Sequence, residues 1–523
     1  MVITKHEKVG EISGHSIFRA VEIDMLPYVN SLNHLSQEKQ LDNRAYVSLI
    51  ESQVKANPLQ YYYSYSFDLT HTLERVVSAS NDFHSLPLHE RADERFVWNR
   101  HLLLEFTQQR ELARYCLPVM HGFVGIQTAV INSRPFLFAL ISRRSCYRAG
   151  TRYYMRGVDL QGHAANFIET EQIVQGRGQL MSYVQTRGSI PLGWSQYPDL
   201  RYKPPPTLWP DIDRQRQALR RHFEDQTLRY GQQVAVNLVN QSGSESRVGK
   251  HFMETVSHVG IQGVKVDWFD FHHICGTNRW HRVQELINRL AADQDSFGYF
   301  HLLKDGSVEQ RQTGVFRTNC MDCLDRTNVV QSEFALRILN IQLLKLGILD
   351  PGTDVRSQEF YKAFRAIWAD NGDACSQQYA GTGAQKADYT RTGKRTKQGL
   401  LVDGYKGLAR YVKNNFLDGS RQDAIDLMLG NYTVDEELQS GRIGSSPLRA
   451  PKSWRYVVLP AVLLSASAMF TISLILPADD SFWQAIVLLF WATAWLMTFM
   501  LIISHGKEFV DRPKLAWPKH KLD

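Results

Sequence analysis

The chain has 523 residues, with 60 Lys and Arg against 53 Asp and Glu for a net charge of +7, and 43% of its residues are hydrophobic. That length predicts two or three domains with a sizeable core. The mild positive charge, spread without a block of like residues and without a zinc-finger pattern, argues against nucleic acid and suits other anionic partners. Six scattered cysteines do not form a secreted disulfide framework and fit a reducing compartment. The first eight residues lack an apolar core, so no signal peptide is expected there. No internal repeat is visible.

In chain order, residues 1–175 read as a β-rich first domain. Residues 61–67 are aromatic and strand-like, and residues 123–141 alternate around the turn Asn132-Ser133-Arg134-Pro135. The run 142–156 then interleaves five arginines with aromatics: Arg143, Arg144, Arg148, Arg152 and Arg156. It reads either as a solvated strand face or as a basic wall for inositol phosphates. From 176 to 440 the pattern becomes α/β. Pro204-Pro205-Pro206 after Lys203 is a stiff spacer. Residues 234–239 and 264–268 read as strands, Trp280, Val283, Ile287 and Leu290 keep helical spacing, and Asp305-Gly306 marks a hairpin.

The chemistry concentrates in residues 317–328. Cys320 and Arg326 have five residues between them, after a short strand predicted from Gly314. Apolar residues follow at Val330, Phe334, Ile338 and Ile341, which is helical spacing, with Thr327 or Asn328 as the expected cap and Gly347 as the stop. The loop is therefore expected at a helix N-terminus, where backbone N–H groups and the helix dipole favour an anion and lower a cysteine pKa. Cys320 is expected as a thiolate nucleophile, with Arg326 as a planar fork for phosphoryl oxygens. Asn319, Met321, Cys323, Leu324, Thr327 and Arg317 are expected around the phosphate, and Asp322 or Asp325 as the acid for the leaving oxygen. Cys320-x-x-Cys323 is also compatible with a redox pair or half a zinc site, but no second pair at zinc spacing accompanies it.

The string Arg317-x-Asn319-Cys320-x-Asp322-Cys323-Leu324-Asp325-Arg326-Thr327-Asn328 resembles, at every fixed position, the signature of the Sac-domain (suppressor-of-actin type) phosphoinositide phosphatases. Protein tyrosine phosphatases usually place His where this chain has Asn319. Further likeness spans roughly residues 110–435. The resemblance implies an α/β (α+β) two-part Sac domain that hydrolyses phosphatidylinositol monophosphates, chiefly the 4-phosphate, with the 3-phosphate and 3,5-bisphosphate as further substrates and no metal or other cofactor. It favours Asp325, which adjoins Arg326 as an aspartate does in the related myotubularin-type loop. The basic run 390–397, with Lys394 and Arg395, is read as added charge beside the pocket. A lipid-binding scaffold and a membrane-bound tyrosine phosphatase are the competing readings.

After a polar linker, 441–455, two uncharged stretches follow at 456–476 and 482–503, each long enough to cross a bilayer as a helix. Residues 477–481 allow only a hairpin. Arg449, Lys452 and Arg455 precede the hairpin, Lys507, Arg512 and Lys514 follow it, and Asp479 and Asp480 lie between. This asymmetry predicts both ends in the cytosol. The linker alone could span at most roughly 50 Å. Residues 504–523 read as a cytosolic tail whose Lys519 and Lys521 resemble the dilysine retrieval signal of endoplasmic-reticulum proteins. That implies coat machinery as a partner and cycling between endoplasmic reticulum and Golgi.

Overall fold

The computed structural model describes all residues except 28–32, 34, 277–278, 386, 393–395, 435–445, 452, 477–480 and 517–523. One twelve-stranded sheet runs through the fold. Its first seven strands are β1 (Val2–Ile12), β2 (His15–Asp24), β3 (Tyr61–Tyr63), β4 (Met120–Ile131), β5 (Arg134–Arg144), β6 (Ile168–Gly176) and β7 (Gln179–Ser189). They pair antiparallel in chain order. The turn between β4 and β5 is Asn132-Ser133, both at positive φ (50° and 61°), the geometry that matches strand twist in a two-residue hairpin.

The other strands are β8 (Gln232–Asn237), β9 (Val264–Trp268), β10 (Phe300–Leu302), β11 (Val308–Gln310) and β12 (Gly314–Cys320). Here the sheet changes character. β7, β12, β8 and β9 lie side by side and parallel. The start of β7 pairs antiparallel with β10, whereas its end, Thr186 to Ser189, pairs parallel with Arg317 to Cys320.

The long helices are α1 (Gln37–Ala56), α2 (Ile212–Tyr230), α3 (Ser244–Val259), α4 (Asp325–Lys345), α5 (Phe360–Ala380), α6 (Lys397–Phe416), α7 (Asp418–Leu429), α8 (Arg455–Ile475) and α9 (Ser481–Ser504). Side chains alternate across the strands. Phe138 and Leu140 of β5 pack with Leu339 and Leu343 of α4 and with Phe360 and Phe364 of α5, while Ala139 and Ile141 face the opposite core with Ile12, Met120 and Ile173. The parallel strands are covered on both faces, as such strands require. Ala235 packs with Phe223 of α2 and Phe252 of α3, and Val234, Val236 and Phe316 pack with Val330 and Phe334 of α4. Phe316 stacks on Phe334 with ring centroids 4.2 Å apart, which ties the first half of β12 to the middle of α4.

α8 and α9 pair as a hairpin of mean hydropathy 2.1 and 2.4, with 6% of each apolar stretch buried in the fold, so they carry the length and surface of membrane spans. The chain beyond α9 does not hang free. It returns as a strap over α6 and α7. The amides of Lys514 and Leu515 donate to Asp423 at 2.8 to 3.0 Å, the Asp511 amide donates to the Asn415 carbonyl at 2.7 Å, and the Ser420 amide donates to Asp511 at 2.7 Å. Phe509 and Val510 bury against Leu200 together with Tyr456, Leu459, Ile502 and Ile503 of the hairpin base. The described end of the 441–455 linker is fastened too, because Arg449 pairs with Glu38 and Asp42 and the Leu448 carbonyl accepts from Lys514. Lys519 and Lys521 fall outside the described residues.

Candidate active site

β12 delivers Cys320 to the carboxyl edge of the parallel strands, where ligands bind in open α/β sheets. The chain then turns through residues 321–324 into α4. Cys323 takes a left-handed φ of 54°, uncommon for a residue with a Cβ, and this reverses the loop. Its thiol donates to the Gly188 carbonyl at 2.7 Å and accepts from the Cys320 amide at 3.2 Å, stapling the loop to β7. The expected helix start is corrected here. α4 begins at Asp325, before Thr327 and Asn328, and no side chain caps it. Asn328 instead donates to the Trp368 carbonyl and accepts from Asn371, both on α5. The first N–H groups of α4 thus have no intrahelical partner and stand ready for an anion.

Arg326 is held by a carboxylate from another element. Glu245, in the first turn of α3, accepts from both terminal nitrogens of Arg326 at 3.0 Å, and the Leu238 carbonyl accepts a further bond at 3.0 Å. The pair is mostly buried, with side-chain exposures of 18% and 16%. This bears on Cys320. Burial pushes its thiol up, Arg326 pulls it down, and Glu245 and Asp322 push it up again. Burial and two carboxylates thus work against the expected thiolate, and the arginine that favours it shares its charge with Glu245.

Asp322 is gripped by the arginine run that follows β5. Arg152 donates to it through Nε at 2.9 Å and through a terminal nitrogen at 2.6 Å, and Arg156 approaches it at 2.7 Å. Although burial alone would raise it, these two guanidinium groups hold its carboxyl well below the usual carboxylate range. Arg156 also donates to the Met321 carbonyl at 2.7 Å, so the arginine run fixes the loop backbone as well. Asp325 points differently and accepts from the Gln385 amide at 3.0 Å.

These groups line one cavity of about 220 Å³, with Cys320, Met321, Asp322, Leu324, Asp325 and Arg326 on the loop side. The opposite wall comes from Arg152, Arg156, Lys203 and, on α6, Arg410 and Asn414. Asn319, Cys323, Thr327 and Arg317 stand behind the loop, buried. Arg317 donates to His222 and to the carbonyls of Gly188 and Ser189, and burial without a carboxylate partner brings it down to about 10. Its part is to join β12 to β7. Lys394 and Arg395 lie outside the described residues. Of the arginine run, Arg143 turns inward to Glu169 and Glu171, whereas Arg152 and Arg156 reach the cavity. Glu245 and Arg410 escape sequence reasoning, since each lies about 80 residues or more from the loop, and Asn414 is touched only by the family likeness that runs through residues 110–435.

Sheet, loop and helix together define an α/β protein of the Cys-x5-Arg loop class. Comparison with known proteins narrows this. The SacI homology domain matches residues 1–276. The chain is 47% identical over its whole length to 88% of Phosphatidylinositol-3-phosphatase SAC1-B of Danio rerio. It is 44% identical over 99% of its length to 86% of Phosphatidylinositol-3-phosphatase SAC1 of Drosophila melanogaster, and 34% identical over 98% of its length to 82% of the Saccharomyces cerevisiae protein of that name. The chain belongs to the Sac1 family of phosphoinositide phosphatases, in a form with two apolar C-terminal helices.

Proposed function

We propose that this phosphatase hydrolyses phosphatidylinositol monophosphates, chiefly the 4-phosphate, through a cysteinyl-phosphate at the cytosolic face of the endoplasmic reticulum and Golgi. The observation that carries the substrate charge is the cavity wall. Arg152, Arg156, Lys203, Arg326 and Arg410 face Glu245, Asp322 and Asp325, a net of two positive charges. That balance suits one dianionic phosphomonoester. The 3-phosphate is accepted on the same charge, as the names of the relatives suggest, and the 3,5-bisphosphate is a weaker substrate.

The substrate phosphate enters at the N-terminus of α4 and competes with Glu245 for Arg326. As Arg326 turns to the phosphate, the Cys320 thiol passes its proton to the Asp325 carboxylate. The thiolate attacks phosphorus, the P–O bond to the inositol ring breaks, and Asp325 gives its proton to the leaving oxygen. Water, deprotonated by Asp325, then attacks the cysteinyl-phosphate, releasing inorganic phosphate and the thiolate. Arg326 and the loop amides stabilise both transition states, and the site must supply on the order of 20 kcal/mol. Asp322 is a loop clamp in this scheme.

The basic flanks of the hairpin support cytosolic ends, and Lys519 with Lys521 supports retrieval by coat machinery. The test is phosphate release by the full chain beside Cys320→Ser, on vesicles each carrying one phosphoinositide isomer, with chelator present. Release that vanishes in the variant and ranks the 4-phosphate first is expected. No release from any isomer by a folded wild type would point to a lipid-binding scaffold.

A further inference from the structure

α6 has two unlike faces. Arg410 and Asn414 turn inward, buried. Arg410 donates to Thr382 and Ser376, Asn414 donates to Asp418, and both form part of the cavity wall. On the other side Leu401, Tyr405, Leu408, Val412 and Phe416 are exposed at 77%, 74%, 65%, 43% and 44%. Their spacing places them on one helical stripe. Single exposed apolar residues need no explanation, but a continuous stripe marks a contact surface.

We propose that α6 lies in the head-group layer of the bilayer spanned by α8 and α9, with this stripe buried among the lipids. What selects a membrane as the occupant is where the helix ends. Tyr411 donates to the Leu200 carbonyl at 2.7 Å, and Leu200 sits in the cluster that Phe509, Val510 and the hairpin base form. One residue before Phe416, the Asn415 carbonyl takes the Asp511 amide of the strap. The stripe therefore runs on from the point where the hairpin leaves the fold. Lys397 stands exposed at its other end, where a long cationic side chain suits the head-group level. With α6 in the interface, the cavity wall that it carries stands at the depth where lipid head groups arrive.

Two measurements on the full chain in phosphatidylcholine vesicles test this. In the first, the combined variant Leu401→Glu, Tyr405→Glu, Leu408→Glu is compared with wild type on phosphatidylinositol 4-phosphate in the same bilayer and on a water-soluble short-chain analogue. The proposal expects about a tenfold loss on the bilayer substrate, as effective concentration falls, with the short-chain rate unchanged. Equal rates on the bilayer substrate would overturn it. This arm rests on the substrate reading above; the second does not. A spin label on Leu408→Cys should be relaxed by oxygen dissolved in lipid rather than by a water-soluble nickel chelate. A label exposed to water, or one shielded only as protein density in the bilayer rises, would overturn the proposal, the latter in favour of a second copy of the chain.

Discussion

Asp322→Asn separates a loop clamp from a proton donor. Asp322 receives three charge-assisted hydrogen bonds, at 2.9, 2.6 and 2.7 Å, from Arg152 and Arg156, whose side chains are 16% and 2% exposed. Removing one member of a buried ion pair costs about 3–5 kcal/mol, and asparagine retains the shape and one acceptor, so about 3 kcal/mol is expected. For a chain of this size that is a fall in Tm of about 3 °C. The sign with pH follows. A carboxyl held below its ordinary range stabilises the fold at neutral pH, and that stability is lost as pH falls through the depressed value. The variant should therefore differ most from wild type near neutrality and converge with it in acid. Thermal unfolding and phosphate release across pH read both effects. As a clamp, Asp322→Asn loses stability and only some kcat, whereas Asp325→Asn loses kcat by about 10²–10⁴. The reasoning would be refuted by an unchanged Tm together with a kcat loss of about 10²–10⁴ in Asp322→Asn.

Glu245→Gln removes a carboxylate that both shares Arg326 and raises the Cys320 thiol, so alkylation of Cys320 by iodoacetamide at neutral pH should rise by up to about tenfold, and an unchanged rate would contradict the assignment. Burial, aided by Asp426 and Asp511, pushes Asp423 up to about 7 against the strap amides. The fold keeps a proton that the unfolded chain releases above about pH 4, so this contribution is full below that and lost as pH rises through 7. Protection of the Lys514 and Leu515 amides, corrected for intrinsic exchange, should fall from about pH 5 to about pH 8. Asp423→Asn should flatten that dependence. A Cβ on Gly419 would stand 2.6 Å from the backbone of Asp511 and Arg512, so Gly419→Ala should destabilise by about 1–3 kcal/mol and open residues 510–516 to protease. A strap as resistant as wild type would show that it does not bear on Gly419.

What the sequence made legible was local. The Asn132-Ser133 hairpin, the strand into Cys320 and the helix after Arg326 follow from turn chemistry and periodicity, and each is present. The start of α4 was misread because Asn328 looks like a cap until α5 is seen to claim its side chain. Arg143 and Arg152 look alike in the run 142–156, and only the fold turns one to Glu171 and the other to Asp322. Glu245 leaves no trace at all, because its pairing with Arg326 depends on β8 lying beside β12. The strap was missed for the same reason: the partners of Asp511 and Lys514 lie about 90 residues upstream.

β7 belongs to both halves of the molecule. Its first edge completes an antiparallel sheet, and its second begins the parallel one that holds the cysteine loop, with Gly188 bonded to both Cys323 and Arg317. There is consequently no seam along which the molecule could be divided. A cut near residue 176 would fall in the turn between β6 and β7, leaving a raw sheet edge on either fragment. Neither piece would keep a working loop. A lineage that rearranged its modules would have to carry this whole sheet as a single hereditary unit.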